Sequence, residues 1–300
     1  MKVKKTTIAA IFLILPGVAV FLFFNIYPIL NSIYLAFTDA QLGSYPLEET
    51  KQVAITGLEN FRWILDDSTF RDAFLWTWIF VVISVTFKVL FGLLLALVYN
   101  SQWVKGKTVY RALLIIPWAL PLLFSVLVWY LMFDPVVGPI NTILRSVGFT
   151  SLPKWNIDAN AGFFALVIIE TWLAYPFMMT IITSALQSVP VNLIEASVID
   201  GANYWQRLTR IILPIASRPI AFATIMTSAT SFQYFLVPFI YNSVLFEDRF
   251  LLLYGYRKGF AAAIPHYGRA AAALVIALII LAIFMYVGMK ITKIQESVTK

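Results

Sequence analysis

Two charged residues stand alone in long apolar stretches of the sequence and are the first candidates for chemistry. Lys88 lies within residues 73–100 and Glu170 within residues 159–194, and neither stretch contains another charged residue. A charge in an apolar environment is costly, so such a residue usually pairs with an opposite charge or serves a polar site. If both stretches are membrane helices, the two residues differ in depth by about 7 Å, at 1.5 Å per residue. A salt bridge inside the protein and contacts to a polar solute are both compatible with this spacing.

Further polar and aromatic side chains interrupt the later apolar stretches. Aromatic faces combined with hydroxyl and amide groups suit the binding of sugars, so these side chains are candidates to line a path for such a solute. Besides Lys88 and Glu170, the candidates are Trp172, Tyr175, Thr227, Ser231, Gln233 and Tyr234. Helix packing is the alternative for each of them, because small polar residues are also common where membrane helices meet.

The sequence offers little else for catalysis or cofactor binding. It contains no cysteine and a single histidine, His266, which excludes thiolate metal sites and imidazole-rich ones. Gly106-Lys107-Thr108 resembles the end of a phosphate-binding loop, but Ser101 stands where that motif requires its first glycine. We find no nucleophile–base pair, so we predict that the chain is not an enzyme and that it binds no cofactor.

The composition predicts the environment in which these residues are held. Hydrophobic residues make up 61% of the 300 residues and charged residues 12%, and the mean hydropathy is +0.84. An average soluble protein has roughly 45–50% apolar and about 25% charged residues. The chain is therefore expected to lie in a lipid bilayer, as a single transmembrane domain over residues 1–300.

Six stretches are long enough to cross the membrane, since a crossing helix needs about 20 apolar residues. We predict an all-α protein with helices at about 8–36, 73–100, 110–133, 161–187, 213–241 and 268–290. Residues 188–212 then form a loop between the fourth and fifth crossings. No loop is long enough to form a soluble domain with its own core.

The charges of the loops orient these crossings. On the side that holds both termini there are twelve basic and three acidic residues, and on the other side nine basic and eleven acidic residues. Basic loops stay in the cytoplasm, so both termini are predicted to be cytoplasmic in a multi-pass protein of the cell (inner) membrane. The net charge of +7 therefore reflects topology, and we expect no nucleic-acid partner.

The cytoplasmic loop at 188–212 carries the most specific pattern. Pro190 ends the preceding helix, and Asn192 is a plausible N-cap for a short helix. Gly201 permits a tight turn that a Cβ would oppose, and a second short helix begins near Asn203 and leads to Pro214. Two short helices that meet at a glycine form a compact projection suited to a groove in a partner protein. The alternative is an amphipathic hairpin that lies on lipid.

This loop resembles the "EAA" motif of permease subunits in binding-protein-dependent ABC importers. The resemblance rests on Glu195-Ala196-Ser197-x-x-Asp200-Gly201-Ala202, followed by Ile211-x-Leu213-Pro214. Other stretches resemble the carbohydrate-uptake branch of that family, in its maltose- and glycerol-phosphate-type first permease. They are Leu15-Pro16-Gly17, Tyr27-Pro28, Gly57-Leu58-Glu59-Asn60-Phe61, Arg111 to Pro121 and Trp172-x-x-x-Pro176-Phe177.

The resemblance implies a type I ABC-importer permease and a mechanism for it. Residues 192–210 would form the coupling helix that sits in a cleft of a cytoplasmic ATPase. The residues expected to serve this coupling are Glu195, Ala196, Asp200, Gly201, Ala202, Arg207 and Pro214. ATP and Mg would be bound by the ATPase and not by this chain.

The resemblance also implies partners. They are a second homologous permease, two cytoplasmic ABC ATPase subunits, an external solute-binding protein and a sugar or related polar solute, with the lipid bilayer around the assembly. The alternative function is an ion-gradient-driven secondary transporter or a channel. Such a protein needs ion or proton sites inside the membrane, for which only Lys88 and Glu170 are candidates.

Overall fold

The protein is helical almost throughout, as the sequence predicts. A computed structural model describes residues 5–42, 53–101 and 103–292. Within these residues the only extended pairing is an antiparallel bridge between Thr38 and Ile55. The helices are α1 (Lys5–Phe21), α2 (Tyr27–Ala36), α3 (Glu59–Asp66), α4 (Ser68–Asn100), α5 (Lys107–Ala119), α6 (Leu122–Met132), α7 (Pro139–Ser146), α8 (Ala159–Gln187), α9 (Val191–Ile199), α10 (Tyr204–Arg207), α11 (Leu213–Phe232), α12 (Leu236–Asn242), α13 (Leu251–Tyr256) and α14 (Tyr267–Ile291).

Five helical stretches in the described residues are long and apolar enough to cross a membrane. They are Phe12–Ala36, Ser68–Asn100, Ala159–Gln187, Tyr204–Asn242 and Tyr267–Ile291. A sixth is present if α5 and α6 together make one crossing. The described chain therefore has five or six candidate crossings.

The third predicted helix is not continuous. Residues 110–133 were expected to form one helix, but α5 and α6 meet at an angle of 90°. Leu120, which joins them, is extended with φ −74° and ψ 143°. Leu120 precedes Pro121, whose ring disfavours helical backbone at the residue before it. For this reason α5 ends at Ala119.

The fifth predicted helix, 213–241, begins earlier in the structure than predicted and is interrupted near its end. A π-helical turn (Leu208–Ile212) joins α10 to α11, so helical structure begins already at Tyr204. At the other end, residues 233–235 leave the helix before α12 begins. The π-helical turn has a physical cause. Pro214 cannot donate a backbone hydrogen bond and its ring crowds the preceding turn, and the Leu213 amide donates to the Leu208 carbonyl, five residues back.

The chain divides into two compact units, of which one contains Met1–Arg71 and Tyr254–Ile279. Within this unit Gly268 lies so close to the backbone that an added Cβ would stand 2.2 Å from the Thr38 carbonyl oxygen. The Asn60 side-chain amide donates to the carbonyls of Ala36 at 3.0 Å and Thr38 at 2.7 Å. The bond to Ala36 satisfies a carbonyl group that the end of α2 leaves without a helical partner, and the bond to Thr38 holds the residues that follow the helix.

Asp67 is a second fixed point in the same unit. Its carboxylate accepts hydrogen bonds from the Tyr254 hydroxyl at 2.8 Å and the Thr69 amide at 2.9 Å, and it lies 3.2 Å from the Lys258 ammonium. Burial alone would raise the pKa of Asp67, but the three donors together outweigh it and lower that pKa below its usual value.

The other unit contains Asp72–Leu253 and Ile280–Lys300. Its larger core cluster includes stacked and edge-on rings of Phe80, Phe163, Tyr234 and Phe250. At Gly92 an added Cβ would stand 2.8 Å from the Met178 Cβ, so the glycine lets α4 and α8 approach closely. This approach brings the middle of α4 against the middle of α8.

Candidate functional site

The first candidate site is the loop after α8, which the structure resolves into a helix, a turn and a second helix. α9 begins at Val191 with Pro190 in the N-cap position, two residues earlier than the N-cap predicted at Asn192. The Asn192 side chain instead accepts a hydrogen bond from the adjacent Leu193 amide at 3.1 Å. A proline suits this position because a helix leaves its first amides without partners in any case.

The turn at Gly201 follows the prediction. Gly201 has φ +77°, in the left-handed region that favours glycine. The Gly201 amide donates to the Val198 carbonyl at 3.0 Å and the Ala202 amide donates to the Ser197 carbonyl at 2.9 Å. This pair of bonds is the Schellman arrangement that closes the C-terminus of a helix. An added Cβ at Gly201 would meet no atom within 4 Å, so the backbone conformation, and not crowding, selects glycine.

The second helix begins at a capping box. The Asn203 side chain accepts from the Gln206 amide, and the Gln206 side chain accepts from the Asn203 amide, both at 2.9 Å. The helix then runs through the π-helical turn into α11, so Arg207 and Pro214 lie on one continuous helical stretch. The loop therefore consists of a separate short helix, α9, which a glycine turn joins to the start of the continuous helical stretch from Tyr204 to Phe232.

The predicted coupling residues are divided between the surface and the interior of this loop. Glu195, Ala196, Asp200 and Gly201 are exposed, whereas Ala202 is half-buried. The exposed face also contains large apolar side chains, with Ile199 86% and Trp205 68% exposed; the others are Val191, Leu193, Val198 and Tyr204. Such a patch of apolar residues beside carboxylates is typical of a protein-binding surface.

Arg207 has an inward role that the sequence did not indicate. Its guanidinium Nη1 donates to the Ala202 carbonyl at 2.7 Å. Arg207 also lines a cavity of about 610 Å³ beneath the loop, together with Ile194, Leu208 and the end of α4. The Arg207 side chain therefore braces the glycine turn from within.

The second candidate site is the buried ion pair of Lys88 and Glu170. The Lys88 ammonium donates to Glu170 Oε1 at 2.8 Å and to the Ser231 hydroxyl at 2.5 Å. Lys88 is 0% exposed and Glu170 is 6% exposed. Of the two alternatives left open by the sequence, the structure contains the salt bridge, and this bridge joins α4, α8 and α11.

The polar surroundings of the pair are only partly satisfied. The Ser231 hydroxyl donates a hydrogen bond to the Thr227 carbonyl at 2.8 Å. Glu170 Oε2, the Tyr234 hydroxyl and the Ser84 hydroxyl are buried and have no hydrogen-bond partner among the described residues. Unpaired polar atoms are costly in a dry interior. This part of the bundle therefore contains hydrogen-bonding groups that helix packing does not explain.

The remaining path candidates do not join this cluster. Tyr175 is buried against Phe91, with ring centroids 5.2 Å apart. Gln233 is exposed just after the end of α11, and its side-chain amide donates to the Ala229 carbonyl four residues back. Trp172 lines an almost wholly apolar surface pocket of about 500 Å³. The structure thus brings together Lys88, Glu170, Thr227, Ser231 and Tyr234, and leaves the other three apart.

One polar contact escaped the sequence analysis. The guanidinium of Arg249 lies over the ring of Trp76, 3.8 Å from its centroid, and donates to the Asn160 side chain at 3.3 Å. Its Nε and Nη1 have no hydrogen-bond acceptor among the described residues. The only signal in the sequence was the charged run Glu247-Asp248-Arg249, which gave no indication of a partner 173 residues away.

Comparison with known proteins identifies the class to which this fold and loop belong. Residues 88–295 match the family described as binding-protein-dependent transport system inner membrane component. The chain belongs to this family, which is one of membrane transport components and not of enzymes.

Two relatives place the chain near carbohydrate permeases, and the predicted resemblance is confirmed. The maltodextrin transport system permease protein MalC of Streptococcus pneumoniae is 31% identical over 241 residues, which cover 77% of this chain and 55% of MalC. The galactooligosaccharides transport system permease protein GanP of Bacillus subtilis is 33% identical over 232 residues, which cover 76% of this chain and 55% of GanP. The alignments span about half the length of these relatives.

A solved structure has the same fold. The chain resembles one from the crystal structure of a bacterial ABC transporter involved in the import of the acidic polysaccharide alginate, with a TM-score of 0.80 over 96% of both chains. The two sequences are 21% identical, so the likeness concerns the fold alone. The described helices therefore adopt the fold of an ABC-transporter membrane chain.

Proposed function

We propose that this chain is the permease subunit of an ATP-driven ABC importer that carries a sugar or related polar solute. The observation that carries the proposal is the exposed helix–turn–helix at 191–207, which bears the EAA-like residues in a chain of the binding-protein-dependent family. The sugar class is supported by the relatives named for maltodextrin and galactooligosaccharides.

Coupling to ATP is assigned to the loop at 192–210. Its exposed apolar face would enter a cleft of a separate ATPase, with Glu195 and Asp200 at the edge of the contact. Gly201 and Ala202 set the angle of α9, Arg207 braces that angle from inside, and Pro214 widens the turn that leads into the membrane. Movement of the ATPase would then be passed to α11 through a continuous helix. ATP and Mg belong to the ATPase in this proposal.

The membrane arrangement proposed is the type I importer architecture, with six crossings and both termini in the cytoplasm. It counts α5 and α6 as one bent crossing. The excess of basic residues on the side of the termini supports this orientation. An external binding protein would deliver the solute to the opposite side, where the loops carry the excess of acidic residues.

The assembly proposed contains a second homologous permease and two cytoplasmic ATPase subunits. The first candidate crossing needs a lipid or protein surface to cover it. More than half of the surface of many of its apolar side chains is exposed, for example at Leu13, Phe23, Phe24 and Leu30. Exposed apolar area of this extent is stable only against lipid or another apolar surface.

The coupling assignment is tested by reversing one exposed charge. Glu195→Arg changes the surface of α9 without touching the turn, so we expect loss of ATPase co-purification and of ATP-dependent maltodextrin uptake. Glu59→Arg, which also reverses an exposed glutamate on a short helix, is the matched control and should retain the ATPase.

Two results would contradict the proposal. ATPase retention in Glu195→Arg at the level of the wild type would remove the coupling role from this loop. Uptake that continues without any ATPase and follows an ion gradient would instead support the secondary transporter.

A further inference from the structure

A pocket between α4 and α5 has the form of a lipid site. It has a volume of about 480 Å³ and lies where the last turns of α4 meet the connecting loop and the start of α5. Its walls are apolar on the helix side, with Leu95, Val98 and Leu114, and aromatic toward the loop, with Tyr99 and Trp103. A pocket of this size is within the range that holds a small ligand or part of a larger one.

One basic residue lines this pocket, and two more lie near it in the sequence. Lys105 lines the pocket, and Lys107 and Arg111 follow within six residues. The sequence has no acidic residue from 73 to 133, and none of the three cations forms an ion pair within the described chain. The Lys107 ammonium lies 5.8 Å from the centre of the Tyr99 ring and contacts the Asn100 carbonyl at 3.5 Å. Lys105 therefore lies on the wall of an apolar pocket, Lys107 lies beside one of its lining rings, and Arg111 follows one turn further along α5.

The aromatic side chains place this mouth at a membrane surface. Trp103 is 84% exposed and Tyr110 is 52% exposed. Exposed tryptophan and tyrosine at the end of a crossing helix are typical of the headgroup region of a bilayer.

We propose that this pocket binds an anionic phospholipid. The headgroup phosphate is held by Lys105 together with Lys107 and Arg111, and an acyl chain lies along the apolar wall formed by α4 and α5. Basic pockets between membrane helices bind anionic headgroups by this combination of charge and apolar contact. The site requires only that the chain lies in a bilayer, so it stands or falls independently of the proposed import of sugars.

The proposal is tested with phosphatidylglycerol and phosphatidylcholine added to the delipidated full-length chain, with bound lipid counted by native mass spectrometry. The wild type should retain phosphatidylglycerol in preference to phosphatidylcholine. Lys105→Gln should weaken phosphatidylglycerol binding about fivefold, and the double variant with Lys107→Gln by a further factor of about five. Lys105 is exposed in the loop and Lys107 is half-buried at the start of α5, so the unfolding temperature without lipid must be unchanged to show that both variants are folded.

Lys290→Gln provides the matched control, because Lys290 is an exposed lysine at the end of α14 and lies outside the pocket. Its binding of phosphatidylglycerol should equal that of the wild type. Equal retention of the two lipids, an equal loss in the control, or displacement of the lipid by inorganic phosphate alone would overturn the proposal. So would loss of the lipid when the chain is assembled with a second permease, since another polypeptide would then fill the pocket.

Discussion

At the scale of single residues, the pair of Lys88 and Glu170 decides how the middle of the bundle is held. Removing two charges from water costs several kcal/mol for each ion, which a close and well-bonded pair offsets only in part. With Lys88 fully enclosed and donating to both Glu170 and Ser231, the pair fixes three helices in register. Glu170 Oε2 has no hydrogen-bond partner among the described residues and can accept from a further donor.

Neutralising one member of this pair should destabilise the protein more than replacing both. Glu170→Gln leaves the Lys88 charge buried without a counter-charge, and such a change costs about 3–5 kcal/mol. The double variant Lys88→Met and Glu170→Leu leaves no buried charge and should unfold nearer to the wild-type temperature. The unfolding temperatures of the two solubilised variants, compared with that of the wild type, test this prediction.

Uptake by the same variants separates a structural role from a role in transport. If the pair serves only packing, the double variant should transport the solute almost as well as the wild type. A folded double variant without uptake would instead place the pair in the solute path. A double variant less stable than Glu170→Gln would contradict the reasoning about buried charge.

Asp67 should make the stability of its unit depend on pH. Because its donors lower the pKa of Asp67 in the folded protein, its contribution is fully present above the ordinary carboxyl pKa of about 4. The contribution is lost as the pH falls through the lowered value. The difference in unfolding temperature between the wild type and Asp67→Asn should therefore shrink as the pH is lowered below about 4. The neighbouring exposed Asp66→Asn is the control and should give a smaller difference at neutral pH.

At the scale of elements, prolines explain where the long helices depart from regular form. π-helical turns at Leu22–Ile26 and Leu208–Ile212 each end two residues before a proline, Pro28 and Pro214. In both, the amide just before the proline donates to a carbonyl five residues back. The wider turn accommodates the proline ring without ending the helix. At Pro121 the chain instead takes an extended residue and bends by 90°.

The second helix of the coupling loop should depend on its cap. Asn203→Ala removes the side-chain acceptor of the capping box, at a cost of about 1 kcal/mol. Amide hydrogen exchange at residues 204–207 should accelerate accordingly. Asn192→Ala is the control, since Asn192 bonds only to the next amide and occupies no cap. Equal acceleration by the two variants would show that the capping box does not hold this helix.

At the scale of the whole molecule, the proposed topology can be tested directly because the chain has no cysteine. Thr209→Cys should react with a membrane-impermeant maleimide only from the cytoplasmic side, and Ser151→Cys only from outside. Both positions are exposed, so reactivity reports the side of the membrane and not burial. Labelling of the two positions from the same side would require a different number of crossings between them.

Much of the architecture could be predicted because hydrophobic length is a local property. Helices α4, α8 and α14 extend no more than five residues beyond the predicted bounds at either end, since about 20 apolar residues suffice to define a crossing. The turn at Gly201 and the helix beginning after Asn203 were predictable because glycine and capping residues act within a few positions. The bend between α5 and α6 was not predicted, although Pro121 was visible, because hydropathy alone does not distinguish a kink from a break.

The candidate site was predictable only in part, because its contacts join residues that are far apart in the sequence. The residue pattern alone shows that Lys88 and Glu170 are isolated charges in apolar stretches, and that an EAA-like loop follows the fourth predicted crossing. The arrangement of the helices was needed to show that these two charges meet each other and Ser231, that Trp172 and Gln233 lie elsewhere, and that Arg207 turns inward to Ala202. Hydropathy and caps act between residues that are close in the sequence, whereas the partner of a buried charge is chosen by helix packing between residues as far apart as 88 and 231.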